Sequence, residues 1–166
     1  MKLRSLEMKD APLMLEWMHD DNVTEFMGAD FASKKIEDCE AFISSSKNDD
    51  KNVHFAIADD NDEYMGTVSL KNIDNTNKTA EFAISTRQAS MGKGYAARAM
   101  KEILEYGIKN LELDKIYWCV SIDNKRAVRF YDKNLYNRTK KIPKHILGYY
   151  APEQLKNFLW YCFEKY

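Results

Sequence analysis

Cysteine, histidine, proline and glycine are all scarce in this sequence, at three, three, three and six residues in 166. Cys39, Cys119 and Cys162 lie far apart with no C-x-x-C pair, so neither a disulfide framework nor a zinc site is expected, and the three read as buried thiols. His19, His54 and His145 are equally scattered and form no H-E-x-x-H cluster, so a bound metal is not expected. No apolar run approaches the roughly 18 residues that span a bilayer. The opening Met1-Lys2-Leu3-Arg4-Ser5 turns polar before a signal-peptide core forms. A cytoplasmic location without a membrane partner is therefore expected. A strong excess of basic charge is also missing: 25 Lys and Arg stand against 26 Asp and Glu, which argues against a nucleic-acid partner.

What is present is material for a core. Hydrophobic residues make up 45% of the chain and charged residues 31%, a globular composition, and the length suits one domain over residues 1–166. The near-neutral total hides an asymmetry. Met1 to Asp50 carries 12 acids and 6 bases, whereas the remainder carries 14 acids and 19 bases. The two parts either face oppositely charged ligands or are ordinary solvated surface.

Periodicity gives the element order β-α-α-β-β-β-α-β-α-β-β, an α/β (α+β) domain. Leu3 to Leu6 alternates as a strand, and Asp10 and Pro12 open a helix carrying Leu13, Met14, Trp17 and Met18. Asn22 to Met27 adds a helical turn, and Ser33 is placed to cap a helix with Ile36, Cys39, Phe42 and Ile43 on one face. Val53 to Ala58, Tyr64 to Ile73 and Thr79 to Thr86 read as three sequential antiparallel strands separated by Asp/Asn turns. From Gly94, the residues Ala96, Ala99, Met100, Ile103, Leu104, Gly107, Ile108 and Leu111 follow the helical period for about four turns. Lys115 to Ser121 is a strand, Asn124 to Lys133 a helix, and Leu155 to Phe163 an aromatic closing strand. That last strand either closes the sheet or pairs across a homodimer.

Met91-Gly92-Lys93-Gly94-Tyr95 falls between a strand and the long helix, where free backbone N–H groups and the helix dipole make an anion site. A Walker loop is excluded because Gly94 is followed by Tyr95 and Ala96 rather than Lys and Ser/Thr. A Rossmann fingerprint is excluded as well, since Ala97 stands at the third-glycine position and the preceding strands are antiparallel.

Three ordered stretches carry a family resemblance: Ala80-Glu81-Phe82-Ala83-Ile84, Met91-Gly92-Lys93-Gly94-Tyr95-Ala96, and Asn124 to Lys133 (NKRAVRFYDK). Together they resemble the core of the GNAT (Gcn5-related) N-acetyltransferase superfamily. Leu15-Glu16-Trp17-Met18 is similar to the start of members that acetylate ribosomal-protein N-termini, spermidine-type polyamines or amino sugars. The resemblance implies a mixed, mostly antiparallel sheet splayed between its fourth and fifth strands. It also implies acetyl-CoA as the acetyl-donor cosubstrate and a small-molecule or peptide amine as acceptor. By position, Ile84, Ser85 and Thr86 would bond the pantetheine arm. The amides of Met91, Gly92, Lys93, Gly94, Tyr95, Ala96 and Ala97 would line the pyrophosphate. Asn124 would bond the pantetheine, and Tyr131 would point at the sulfur. Two positions depart from the family pattern: Ala89 stands where Gln or Arg usually precedes the first glycine by three, and Asn134-Leu135-Tyr136 replaces a Gly-Phe ending.

Acetyl transfer to an amine needs a general base, an N–H donor for the carbonyl and a general acid for the thiolate. Tyr131, seven residues after Asn124, shares its helix face, and a phenol with an ordinary pKa of about 10 is a proton donor at neutral pH. Glu81 either takes the amine proton, directly or through a water, or is a solvated strand residue. Lys93 reads as a solvated or phosphate-facing charge. Trp17, Phe26, Met27 and Phe31, with Glu16, Asp20, Asp21 and Glu25, either line an acceptor wall suited to a cationic amine or form a helix packing face with solvated acids. The changed positions Ala89 and Asn134 also motivate a different class, a CoA-binding regulatory or interaction module without turnover.

Overall fold

The computed structural model describes residues 1–166. Seven strands form one sheet in the order β1-β2-β3-β4-β5-β7-β6. They are β1 (Lys2–Ser5), β2 (Val53–Ala58), β3 (Tyr64–Asp74), β4 (Thr79–Thr86), β5 (Lys115–Ser121), β6 (Asn137–Thr139) and β7 (Phe158–Glu164). The helices are α1 (Ala11–Met18), α2 (Asp21–Thr24), α3 (Ile36–Ser46), α4 (Tyr95–Lys109), α5 (Lys125–Lys133), α6 (Lys144–Leu147) and α7 (Pro152–Leu155). Every neighbouring pair is antiparallel except β4 and β5, which run parallel. The expected fold class is therefore the one observed.

The decisive feature is where that parallel pair stops. Only Thr79–Glu81 of β4 pairs with Lys115–Tyr117 of β5. Beyond those residues β4 stays on β3 as far as Thr86, and β5 stays on β7 as far as Ser121. The two strands part, leaving one edge of each open.

Alternation sorts the side chains onto two faces. One face carries Val68, Leu70, Phe82, Ile116, Trp118 and Tyr161, covered by Ala99, Met100, Ile103 and Leu104 of α4 and Tyr131 of α5. On the other, α1 and α3 bury Met14, Trp17, Cys39 and Ile43 against Ala56 and Tyr64. Further along that second face, Ile146 of α6 packs on Tyr117, Trp160 and Cys162. One side of the opening thus lies under α4 and α5, and the other under α1, α3 and the connection from Thr139 to Phe158.

Several expected boundaries shift for local reasons. Asp10 stands at the N-cap of α1, yet its carboxylate accepts from Arg4 Nη1 and Nη2 at 2.8 and 2.9 Å and from the Glu7 N–H at 2.9 Å. Ser33 does not cap α3. It lies in a turn on Asp30, and the helix starts at Ile36 with Asp38 accepting the Lys35 N–H at 2.8 Å. The closing strand begins at Phe158 instead of Leu155, because Leu155 ends the short α7 that Pro152 opens and Lys156 and Asn157 turn the chain. It pairs with β5 on one side and, over Trp160 to Cys162, with β6 on the other, so β7 is an interior strand and β6 forms that edge of the sheet. At the departure after α5, Leu135 takes φ 63°, a left-handed conformation that glycine adopts without strain. The turn still closes, since the Tyr136 N–H reaches Tyr131 O at 3.1 Å and the Tyr136 ring packs on Trp118.

Gly66 lies opposite Thr86, at the end of β4 that bounds the splay. A Cβ there would meet Ser85 O at 2.5 Å and Thr86 Cα at 3.0 Å, both backbone. Gly66→Ala is expected to destabilise the fold by about 1–3 kcal/mol through overpacking, read as a lower urea midpoint at unchanged slope.

Candidate active site

The splay opens into a cavity of about 610 Å³ lined by Phe82 to Ser85 of β4, Trp118 to Ser121 of β5, and Asn124, Ala127 and Tyr131. Phe26, Met27 and Phe31 close it from the α2–α3 connection, and Tyr150 and Phe158 from the C-terminal segment. A second cavity of about 390 Å³ lies between α1, α3 and the sheet and shares Phe31, Lys71, Ala83, Ile84 and Ser85 with the first.

The sequence-predicted pantetheine residues Ile84, Ser85 and Thr86 lie on the part of β4 whose β5-facing edge makes no ladder bonds. Backbone groups left open in this way are ready partners for an amide-containing chain. Asn124 is the N-cap of α5, its Oδ1 accepting the Ala127 N–H at 3.1 Å, so the side-chain NH₂ remains to donate into the cleft.

The glycine turn supplies the second half of the site. Gly92 and Gly94 have φ of 75° and 77°, and Gly94 is the N-cap of α4. The N–H groups of Gly92, Gly94, Tyr95, Ala96 and Ala97 have no backbone acceptor. Those of Met91 and Lys93 are already given to Gln88 O and Ser90 O, at 3.1 and 3.4 Å, so these two residues shape the turn through their backbone instead of adding donors to it. A set of free amides at the start of a 15-residue helix fits the chemistry of a pyrophosphate. Arg126, on α5, contacts the Met91 sulfur and so brings a guanidinium to the turn, which spacing along the chain did not signal.

Tyr131 is almost wholly buried, with ring centroids 5.6 Å from Trp118 and 5.1 Å from Tyr161. Its hydroxyl has no protein hydrogen-bond partner, and burial pushes its pKa far above the ordinary tyrosine value, so it holds its proton. Glu81 is the last β4 residue paired with β5 and is 2% exposed. Asn72 Nδ2 donates to its Oε2 and the Tyr150 hydroxyl to its Oε1, each at 2.6 Å. Asn72 reaches it because β3 shifts register between Lys71 and Asp74 and Asn72 takes φ 52°, a bulge that re-aims its side chain. Glu81 is thus a buried, doubly hydrogen-bonded carboxylate, and the reading of a solvated strand residue does not hold.

Among the expected acceptor-wall residues, Phe26, Met27 and Phe31 line the splay cavity, and Trp17 lines the second while its Nε1 donates to Tyr64 Oη at 3.0 Å. The acids do not follow them. Glu16 is bound to Arg87, Asp20 caps α2, and only Asp38 of the twelve acids in residues 1–50 lines either cavity. Lys34 and Lys71 line the second cavity beside it without a carboxylate at salt-bridge distance. His54 there bonds Ser69 Oγ at 2.6 Å, and burial lowers its pKa.

A family model described as an acetyltransferase (GNAT) domain matches residues 1–134. The chain belongs to the GNAT acetyltransferase family. It is 35% identical over 139 residues to the spermidine N(1)-acetyltransferase of Escherichia coli strain K12, covering 80% of this chain and 70% of that protein. The Vibrio cholerae serotype O1 spermidine N(1)-acetyltransferase is 26% identical over 131 residues, covering 79% and 75%. The crystal structure of spermidine N-acetyltransferase from Vibrio cholerae in complex with CoA and spermine superposes with a TM-score of 0.80 at 21% identity, covering 98% of this chain and 94% of that one. It shares the fold.

Gly94→Val places a β-branched side chain at a left-handed φ and disturbs the free amides on either side. The expected result is a CoA affinity at least about tenfold weaker, equivalent to about 1.4 kcal/mol, by calorimetry on folded protein. Unchanged affinity removes the anion site from this turn.

Proposed function

We propose that residues 1–166 form a single N-acetyltransferase domain in which a primary amine attacks acetyl-CoA directly. The observation that carries this is the meeting of three things at one opening: the unpaired edge of β4, the free amides of the glycine turn, and a proton-holding tyrosine with a Tyr150–carboxylate pair on the opposite side. A module without turnover would have no use for the last of these.

Ile84 to Thr86 and Asn124 hold the pantetheine arm, and the amides of Gly92 and Gly94 to Ala97 hold the pyrophosphate. An open β4 N–H polarises the thioester carbonyl. Tyr131 gives its proton to the departing thiolate, and Glu81 receives the proton that the amine loses. The acid stands on the face covered by α4 and α5 and the base on the opposite face, so the amine reaches the thioester from that opposite side. Tyr131→Phe is expected to lower kcat by roughly 10² to 10⁴ with little change in CoA affinity. A near-normal rate, measured where chemistry limits turnover, shows that another group protonates the thiolate.

A polyamine is the acceptor we favour, supported by the relatives that bear the name spermidine acetyltransferase. A second reading rests on Lys34 and Lys71, which suit an amine whose far end is anionic, such as an acidic peptide N-terminus or an amino-sugar nucleotide. Lys71→Gln separates the two. With a polyamine acceptor it relieves repulsion and raises kcat/KM for spermidine about fivefold, equivalent to about 1 kcal/mol. With an anionic acceptor spermidine is a poor substrate throughout, and the same variant lowers kcat/KM for the anionic amine.

A further inference from the structure

Glu81 has a position and burial that conflict with its simplest role. It lies beside the splay, yet it is 2% exposed, it does not line the cavity, and each carboxylate oxygen already accepts a hydrogen bond. Buried and set back from the cavity wall, it meets the cleft through a partner. The partner on the cleft side is Tyr150, which does line the cavity and whose hydroxyl is 2.6 Å from Glu81 Oε1. Its ring is fixed edge-on between Phe158 and Trp160, with centroids at 5.7 and 5.5 Å. Tyr150 also lies outside the residues 1–134 that the family model matches.

We propose that Tyr150 is a catalytic residue, the cleft-facing end of a two-group proton relay whose far end is Glu81. This rests on the reading of Glu81 as the final base. As the amine nitrogen bonds to the thioester carbonyl carbon and the carbon–sulfur bond breaks, the nitrogen passes one proton to Tyr150 Oη, which in the same movement passes its own proton to Glu81 Oε1. Tyr131 protonates the thiolate. The products are an amide and a free thiol, with one proton gained by Glu81 and one lost by Tyr131, both restored from solvent. No tyrosinate forms at position 150, in keeping with burial pushing that phenol's pKa far above its ordinary value. Asn72, holding Glu81 Oε2, keeps Oε1 turned toward Tyr150 and is a positioning residue.

The test combines variants with a proton inventory, the dependence of rate on the deuterium fraction of the solvent, measured where chemistry limits turnover. The wild-type plot is expected to curve because more than one proton is in flight. Tyr150→Phe should lower kcat about 10²-fold at nearly constant amine KM and CoA affinity, with less curvature. Glu81→Gln should lose about as much, and the double variant no more than either alone. A linear wild-type inventory overturns the relay without reference to any variant. So does a Tyr150→Phe effect confined to KM, which makes the contact a latch holding the C-terminal segment over the cleft. A crippled Glu81→Gln beside a normal Tyr150→Phe removes the relay and leaves Glu81 as base. A fully active Glu81→Gln removes the base reading and the relay with it.

Discussion

The rest of the structure depends on the failure of β4 and β5 to stay paired beyond Glu81 and Tyr117. An interior strand edge without partners is unfavourable, because each buried N–H or C=O left unmet costs about as much as a lost hydrogen bond. The fold sustains it by satisfying each strand completely on its other side, β4 on β3 and β5 on β7. The space between is wedged by aromatic rings: Phe82 and Trp118 meet edge to face at 5.4 Å, and Tyr131 packs on Trp118 from α5. Those rings make the opening apolar on the α5 side. On the other side the same opening is bordered by Tyr150 and Cys119, with Glu81 buried behind the Tyr150 hydroxyl, so one gap separates an apolar wall from a polar one.

Charge was the feature of the sequence most open to misreading. The excess of acids in the first fifty residues suggested a cleft that draws cations, but most of those carboxylates serve the scaffold or the surface. Asp10 holds Arg4, which also reaches Asp62; Glu16 holds Arg87 against Tyr64 O and so ties α1 to the end of β4. A buried or half-buried carboxylate engaged by a guanidinium has its field largely cancelled at the distance of a ligand. Net charge per segment therefore says little about the potential inside a cavity built from three other segments.

The strands and the long helix were legible because their signals are local. Val53 to Ala58, Thr79 to Thr86 and Lys115 to Ser121 alternate cleanly, and the period of α4 is set by its own apolar positions. The glycine turn and the Asn124 cap were legible for the same reason, since a left-handed φ and a capping amide are properties of a few adjacent residues. What escaped was decided elsewhere in the chain. A strand before the closing one is part of the expected order, but its three residues could not be placed, since β6 takes shape only on the edge that β7 offers. Arg126 reaches the glycine turn because α5 crosses beside it, and Asn72 reaches Glu81 through a bulge with no signature beyond an asparagine in a strand. Tyr150 is 69 residues from Glu81, and nothing in its neighbours' spacing connects the two.

Under the proposed mechanism the two cleft tyrosines, identical side chains, take opposite duties. Burial raises the pKa of both, so neither is a free anion, and what differs is the partner. Tyr131 has no acceptor within the protein, and its O–H is left to point at whatever occupies the cleft, which makes it a donor. Tyr150 has already committed its hydrogen to a carboxylate, and what it has left to offer is oxygen lone pairs, which suits it to accept. The sheet sets this polarity, placing Tyr131 on the face covered by α4 and α5 and Glu81 on the other. A proton can then enter on one face and leave from the other without the reacting atoms turning over between them.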